Sequence, residues 1–90
     1  KKKAFFMRFP DFSKKEVVNI KDGKCLGCVS DLIFEECRGQ IEAIILKGPA
    51  KWFHCVGYDS EYVIGWDRIV RIGPDVILVE VCADKVLKKI

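Results

Sequence analysis

Short apolar segments rich in β-branched residues, each cut off by turn formers, follow one another from Glu16 to Cys82. They read Glu16-Val-Val-Asn-Ile, Cys25-Leu-Gly-Cys-Val, Leu32-Ile-Phe, Ile41-Glu-Ala-Ile-Ile-Leu, Trp52-Phe-His-Cys-Val, Glu61-Tyr-Val-Ile, Arg68-Ile-Val-Arg-Ile and Val76-Ile-Leu-Val-Glu-Val. Lys21-Asp-Gly-Lys, Cys37-Arg-Gly-Gln, Lys47-Gly-Pro-Ala, Gly57-Tyr-Asp-Ser and Gly73-Pro-Asp separate them. Strands this short and this regularly punctuated point to a small all-β barrel or sandwich. The chain has 90 residues, half of them hydrophobic. That makes one domain, and a domain of this size buries only about 60–65% of the surface its unfolded chain exposes.

Local signals place the turns. Asp22-Gly23 and Arg38-Gly39 are hairpin signals, because glycine accepts a positive φ without steric cost. Lys24 to Phe34 reads as one long bent strand interrupted at Gly27 and at Ser30-Asp31, since a glycine inside a strand marks a bulge or a barrel corner. Pro10 to Glu16 reads as a turn or a single helical turn, with Ser13 and Glu16 at capping-box spacing.

The strand Gln40 to Leu46 sets Ile41, Ala43 and Ile45 on one face and Glu42, Ile44 and Leu46 on the other. Both faces are largely apolar, and Val76 to Val81 repeats the pattern. A small barrel has one interior, so the second face needs cover. An amphipathic helix over Ala83 to Ile90, with Val86, Leu87 and Ile90 at helical spacing, supplies part of it. Self-association supplies the rest.

Charge and cysteine usage weigh against several classes. The formal net charge is +3, from 16 basic and 13 acidic residues, and much of the excess lies in Lys1-Lys2-Lys3 and Lys88-Lys89. Nucleic-acid binders carry denser basic patches. No apolar stretch approaches the roughly 20 residues of a membrane span. Ala4-Phe5-Phe6-Met7 is too short for the apolar region of a signal peptide, so a soluble cytoplasmic protein is expected. Met7 read as a start makes residues 1–6 an N-terminal extension. Five cysteines cannot all pair within one chain, and free thiols acting as small hydrophobes are the plain expectation.

Candidate chemistry is sparse. Cys25-Leu-Gly-Cys28 could serve as half of a zinc site, completed by Cys37 and His54 or Cys55, or as a redox dithiol. On a regular strand, however, positions i and i+3 face opposite ways, so either use needs a bulge at Gly27. Redox pairs also draw on a helix N-terminus, which the strand pattern does not offer. His54, the single histidine, lacks the orienting third group that a Cys–His nucleophile requires. Asp31 and Asp67 suit turns better than metals. We therefore expect no catalytic residue, no metal site and no cofactor. Trp52, Phe53, Tyr58, Tyr62 and Trp66, near Lys47, Lys51 and Arg68, have the outline of a base-stacking platform, but they fit a core and a protein interface better, since Tyr62, Ile64 and Trp66 alternate as one strand face does. The expected partner-binding residues are Ile44, Leu46, Trp52, Phe53, Tyr58 and Trp66.

From Met7 to Val81 the chain resembles the PRC-barrel domain, in particular the small YlmC/YmxH-type proteins linked to sporulation. The resemblance is carried by Met7-Arg-Phe-Pro-Asp-Phe-Ser-Lys-Lys-Glu-Val-Val-Asn-Ile-Lys-Asp-Gly-Lys and Leu26-Gly-Cys-Val-Ser-Asp-Leu. It continues through Gly39-Gln-Ile-Glu-Ala-Ile-Ile, Glu61-Tyr-Val-Ile-Gly-Trp-Asp-Arg-Ile and Ile72-Gly-Pro-Asp-Val-Ile-Leu-Val. It implies an all-β barrel of about six mostly antiparallel strands over residues 7–82, with residues 83–90 as a tail or short helix. Related domains in the ribosome maturation factor RimM and in the photosynthetic reaction centre H subunit act as docking modules, and similar archaeal proteins take part in cell-division assemblies.

The two apolar faces and the resemblance together lead us to expect a non-catalytic protein-interaction module, self-associating because of its surplus apolar surface and tied to sporulation by the resemblance, its partner unidentified. An RNA- or ribosome-associated factor and a zinc or thiol-redox sensor are the alternatives. Two departures stand out: Gly65 where the family pattern calls for proline, and cysteines at 25, 28, 37 and 55 where it calls for none.

Overall fold

Glycine positions fix where this chain turns, and the computed structural model, which describes residues 7–48 and 60–89, shows the strands that result. They are β1 (Glu16–Asn19), β2 (Lys24–Glu35), β3 (Gln40–Lys47), β4 (Ser60–Gly65), β5 (Ile69–Ile72), β6 (Val76–Val79) and β7 (Leu87–Lys89). Helix α1 (Phe9–Phe12) precedes them, a 3₁₀ turn (Trp66–Arg68) links β4 to β5, and α2 (Ala83–Val86) precedes β7. Gly23 and Gly39 close their turns at φ 73° and 67°, where a residue with a Cβ would be strained.

The strands lie side by side in the order β5-β6-β1-β2-β3-β4-β7. Neighbours run antiparallel except β1 and β6, which pair in parallel, Glu16 opposite Val76 through Asn19 opposite Val79. The long strand β2 serves two neighbours in turn. Its first part pairs with β1 and, from Val29 onward, it pairs with β3. The ladder shifts register between Val29 and Asp31, leaving Ser30 as an extra residue, and its hydroxyl donates to the Ile45 carbonyl at 3.1 Å. The sequence reading of a bent strand broken near Gly27 and Ser30 matches this geometry.

The core lies between the two parts. Val17, Ile77 and Val79 meet Ile44, Leu46, Tyr62 and Ile64, with Val29 between them and Phe12 and Val81 completing the cluster. Two buried polar side chains tie strands to loops. Asn19, 1% exposed, donates from Nδ2 to the Val81 carbonyl at 2.9 Å and accepts the Val81 N–H on Oδ1 at 3.2 Å. The amide thus extends the β1–β6 pairing beyond the end of β6. Lys15, 9% exposed, donates from Nζ to the carbonyls of Gly73 and Pro74 at 2.8 and 2.6 Å. Its charge satisfies the tight turn between β5 and β6.

Three expectations change. Ser13 does not cap a following helix: α1 ends before it, and its hydroxyl donates back to the Pro10 carbonyl at 3.0 Å. The C-terminal segment is helical only over α2; the chain then extends into β7, which pairs with β4. Tyr62, Ile64 and Trp66 do not share a strand face throughout, because β4 ends at Gly65 and Trp66 opens the 3₁₀ turn. Gly65 has φ −59° and ψ 144°, a backbone shape open to proline. The strand expected over Trp52 to Val56 lies outside the described residues.

Gly27 carries the most demanding backbone. It sits inside β2 at φ 119°, with nothing within 4 Å of where a Cβ would project. A substitution there costs backbone strain without a clash. Gly27→Ala is expected to destabilise the protein by about 1–3 kcal/mol. D-alanine, whose allowed map is the mirror image, should restore wild-type stability in the chemically synthesised chain. Chemical denaturation of both proteins checks this, and an equal loss for both would point to a steric cause instead.

Candidate functional surface

Burial sorts the expected partner-binding residues into separate groups. Ile44 and Leu46 are fully buried, so neither is available to a partner. Alternation places them together on one of two apolar faces, and reading them as partner-binding residues takes that face as the outer one. In the folded chain β3 also shifts register between its pairings at Ile33 and Phe34, with Glu42 as the extra residue. Ala43 and Ile44 are consecutive, yet both are buried. The 3₁₀ turn packs against β3, and α2 packs against β4. Trp52, Phe53 and Tyr58 lie outside the described residues, as do His54 and Cys55.

Trp66 is 36% exposed. Its ring meets that of Phe12 at a centroid distance of 6.2 Å and a tilt of 40°, within the range of a favourable aromatic pair. Phe12 is buried beneath it. One part of Trp66 is therefore anchored to α1 while the rest faces solvent.

The chain leaves Trp66 directly into β5, an edge of the sheet. Among the described residues β5 pairs only with β6. That ladder shifts between Ile69 and Arg71, so Val70 is the unpaired bulge residue and 54% exposed. Ile72, at the end of the strand, is 37% exposed. Among the described residues the opposite edge is β7 (Leu87–Lys89), which carries Lys88, and a lysine on an edge opposes edge-to-edge pairing. The β5 edge and the turn before it therefore present Trp66, Val70 and Ile72 in one short stretch, interspersed with the exposed charges of Asp67, Arg68 and Arg71. Sequence reasoning found Trp66 but missed Val70 and Ile72. Arg68-Ile-Val-Arg-Ile reads as an ordinary strand, and only the bulge reveals which side chain is expelled.

A polar cleft of about 500 Å³ opens beside α1, lined by Asp11, Lys14, Lys15, Glu16, Pro74, Asp75 and Val76. Lys15 is held by the two carbonyls described above, and the Glu16 N–H donates to the Asp75 carbonyl at 3.1 Å. The inward-facing groups are thus engaged in closing the fold.

Cys25, Cys28, Cys37 and Cys82 are free and exposed. No group of three or more histidine, cysteine or acidic side chains comes together to hold a metal among the described residues. Asp31 accepts its own neighbour's N–H, from Leu32 at 2.8 Å, as a turn carboxylate does. Among the described residues no helix is long and apolar enough to cross a membrane.

Comparison with known proteins adds to this geometry. The PRC-barrel domain model matches residues 6–86. The probable sporulation protein YlmC of Bacillus subtilis is 46% identical over 69 residues, spanning 77% of this chain and 85% of its own length. The uncharacterized protein YmxH of the same organism is 35% identical over 77 residues, spanning 83% of this chain and 89% of its own.

Proposed function

Since the chain belongs to the PRC-barrel family, we propose that it is a non-catalytic cytoplasmic module that works by binding protein, first of all a second copy of itself. The observation that carries this reading is the β5 edge. Val70 and Ile72 remain exposed on a strand that, among the described residues, pairs on one side only, and Trp66 is exposed in the turn that leads into it. Burying such residues is favourable by about 25 cal/mol per Å² of apolar surface, and an unpaired edge is a template for further pairing. A second copy presenting the same stretch across a two-fold axis would cover both. The process we assign is sporulation, after the name of the YlmC relative.

The reading makes a direct prediction. Sedimentation equilibrium over a wide concentration range is expected to show the wild-type chain passing from monomer to dimer. Val70→Lys places a desolvated charge at the contact and should leave a monomer throughout. Because Val70 is exposed in the single chain, its thermal unfolding in dilute solution should stay within about 0.5 kcal/mol of wild type. A wild-type chain that stays monomeric at every concentration would remove the self-association step.

A further inference from the structure

A dithiol on β2 stands apart from the β5 edge. On a regular strand Cys25 and Cys28 would face opposite ways. Here Cys28 pairs with Glu16 and Gly27 with Val17, but Cys25 pairs with Val18. One residue of β2 is therefore extra, and the two cysteines oppose β1 positions that differ by two and so share a face. Burial agrees: Leu26 packs against the core and Val29 is buried, while both cysteines are exposed. Gly27, at φ 119°, makes this bulge affordable.

Two strand rises separate Glu16 from Val18, about 6.6 Å. Their partners Cys25 and Cys28 inherit roughly that Cα separation, inside the roughly 4.4–6.8 Å of disulfides. The Cys28 thiol donates a weak hydrogen bond to the Lys14 carbonyl at 4.0 Å. No polar side chain competes for Cys25 among the described hydrogen bonds.

We propose that Cys25 and Cys28 form a redox-active pair that exchanges with low-molecular-weight disulfides. A Cys25 or Cys28 thiolate attacks the S–S bond of the small disulfide, forming a mixed disulfide and releasing one small thiol. The second cysteine then displaces the other small thiol. The Cys25–Cys28 bond forms, the two cysteines are oxidised, and the small disulfide leaves as two thiols carrying both protons. The bulge brings the two sulfurs to one solvent-facing side, which is the arrangement this second step requires.

Equilibration with oxidised and reduced glutathione, followed by alkylation and peptide mapping, tests the assignment. The expected product is one internal Cys25–Cys28 disulfide. Its exchange constant in the native protein should be about tenfold above that in urea, where only local sequence brings the sulfurs together. Cys28→Ser should instead accumulate a glutathione adduct at Cys25. Adducts on both cysteines without an internal bond would overturn the proposal. So would bonds from either to Cys37, Cys55 or Cys82, or a native constant at or below the urea value.

Discussion

Replacing Asn19 by leucine is expected to lower the unfolding free energy by about 3 kcal/mol. The side chains are of similar size, so the effect comes from hydrogen bonding. Asn19 both donates to and accepts from the backbone of Val81, a residue that is itself buried. Leucine leaves that N–H and that carbonyl unpaired, at about 1–3 kcal/mol each, offset in part by the extra apolar burial. Urea denaturation should show a lower midpoint with an unchanged slope. A loss below about 1 kcal/mol would mean that solvent reaches Val81 and that the amide is not a structural tie. Asn19→Asp adds a pH test. A carboxylate can accept the Val81 N–H but opposes the Val81 carbonyl, and burial also disfavours its charge, so its folded pKa lies above the unfolded value. The protonated form is then favoured by folding. Its stabilisation is complete below the unfolded pKa and is lost as pH rises through the folded one. The variant should therefore approach wild type in acid and weaken towards neutrality.

Ile44→Ala is expected to cost about 3–4 kcal/mol, in the range for a large aliphatic side chain removed from a well-packed site. Ile44 is fully buried within the core cluster. The loss should therefore appear in the dilute monomer, and the association constant of the folded chain should stay as in wild type. A contact residue would behave in the opposite way, weakening association while leaving monomer unfolding nearly untouched. The two measurements together separate a core side chain from a docking side chain.

Local chemistry made most of the architecture legible. The glycines of Asp22-Gly23 and Arg38-Gly39 close turns where their dipeptides predict, and Gly27 bulges the strand it interrupts. Long-range chemistry was not legible. Nothing in Val17-Val18-Asn19-Ile20 announces that the amide will meet Val81, 62 positions along the chain. Lys15 likewise satisfies a turn far from it in sequence. Simple alternation rightly puts Ile44 and Leu46 on one face, but with both faces of β3 apolar it does not say which face turns inward, and that face is the core. The candidate surface was legible at Trp66, whose type favours contacts. It was hidden at Val70, whose exposure depends on a bulge in the pairing of β5 with β6. The CxxC pair was visible as a motif, but its shared face depends on which residue the ladder skips.

The parallel pairing of β1 with β6 has a consequence for assembly in the cell. β1 emerges early during translation, but one of its two neighbours is the strand Val76–Val79. The meander of β2, β3 and β4 joins strands adjacent in order and can pair while synthesis continues. The side of β1 that faces β6 has to wait until Val76–Val79 has left the ribosome, because contacts between distant segments form late and slowly. Until then one side of the nascent strand is open to β-rich neighbours, so its capture by chaperones or by aggregation is decided in that interval.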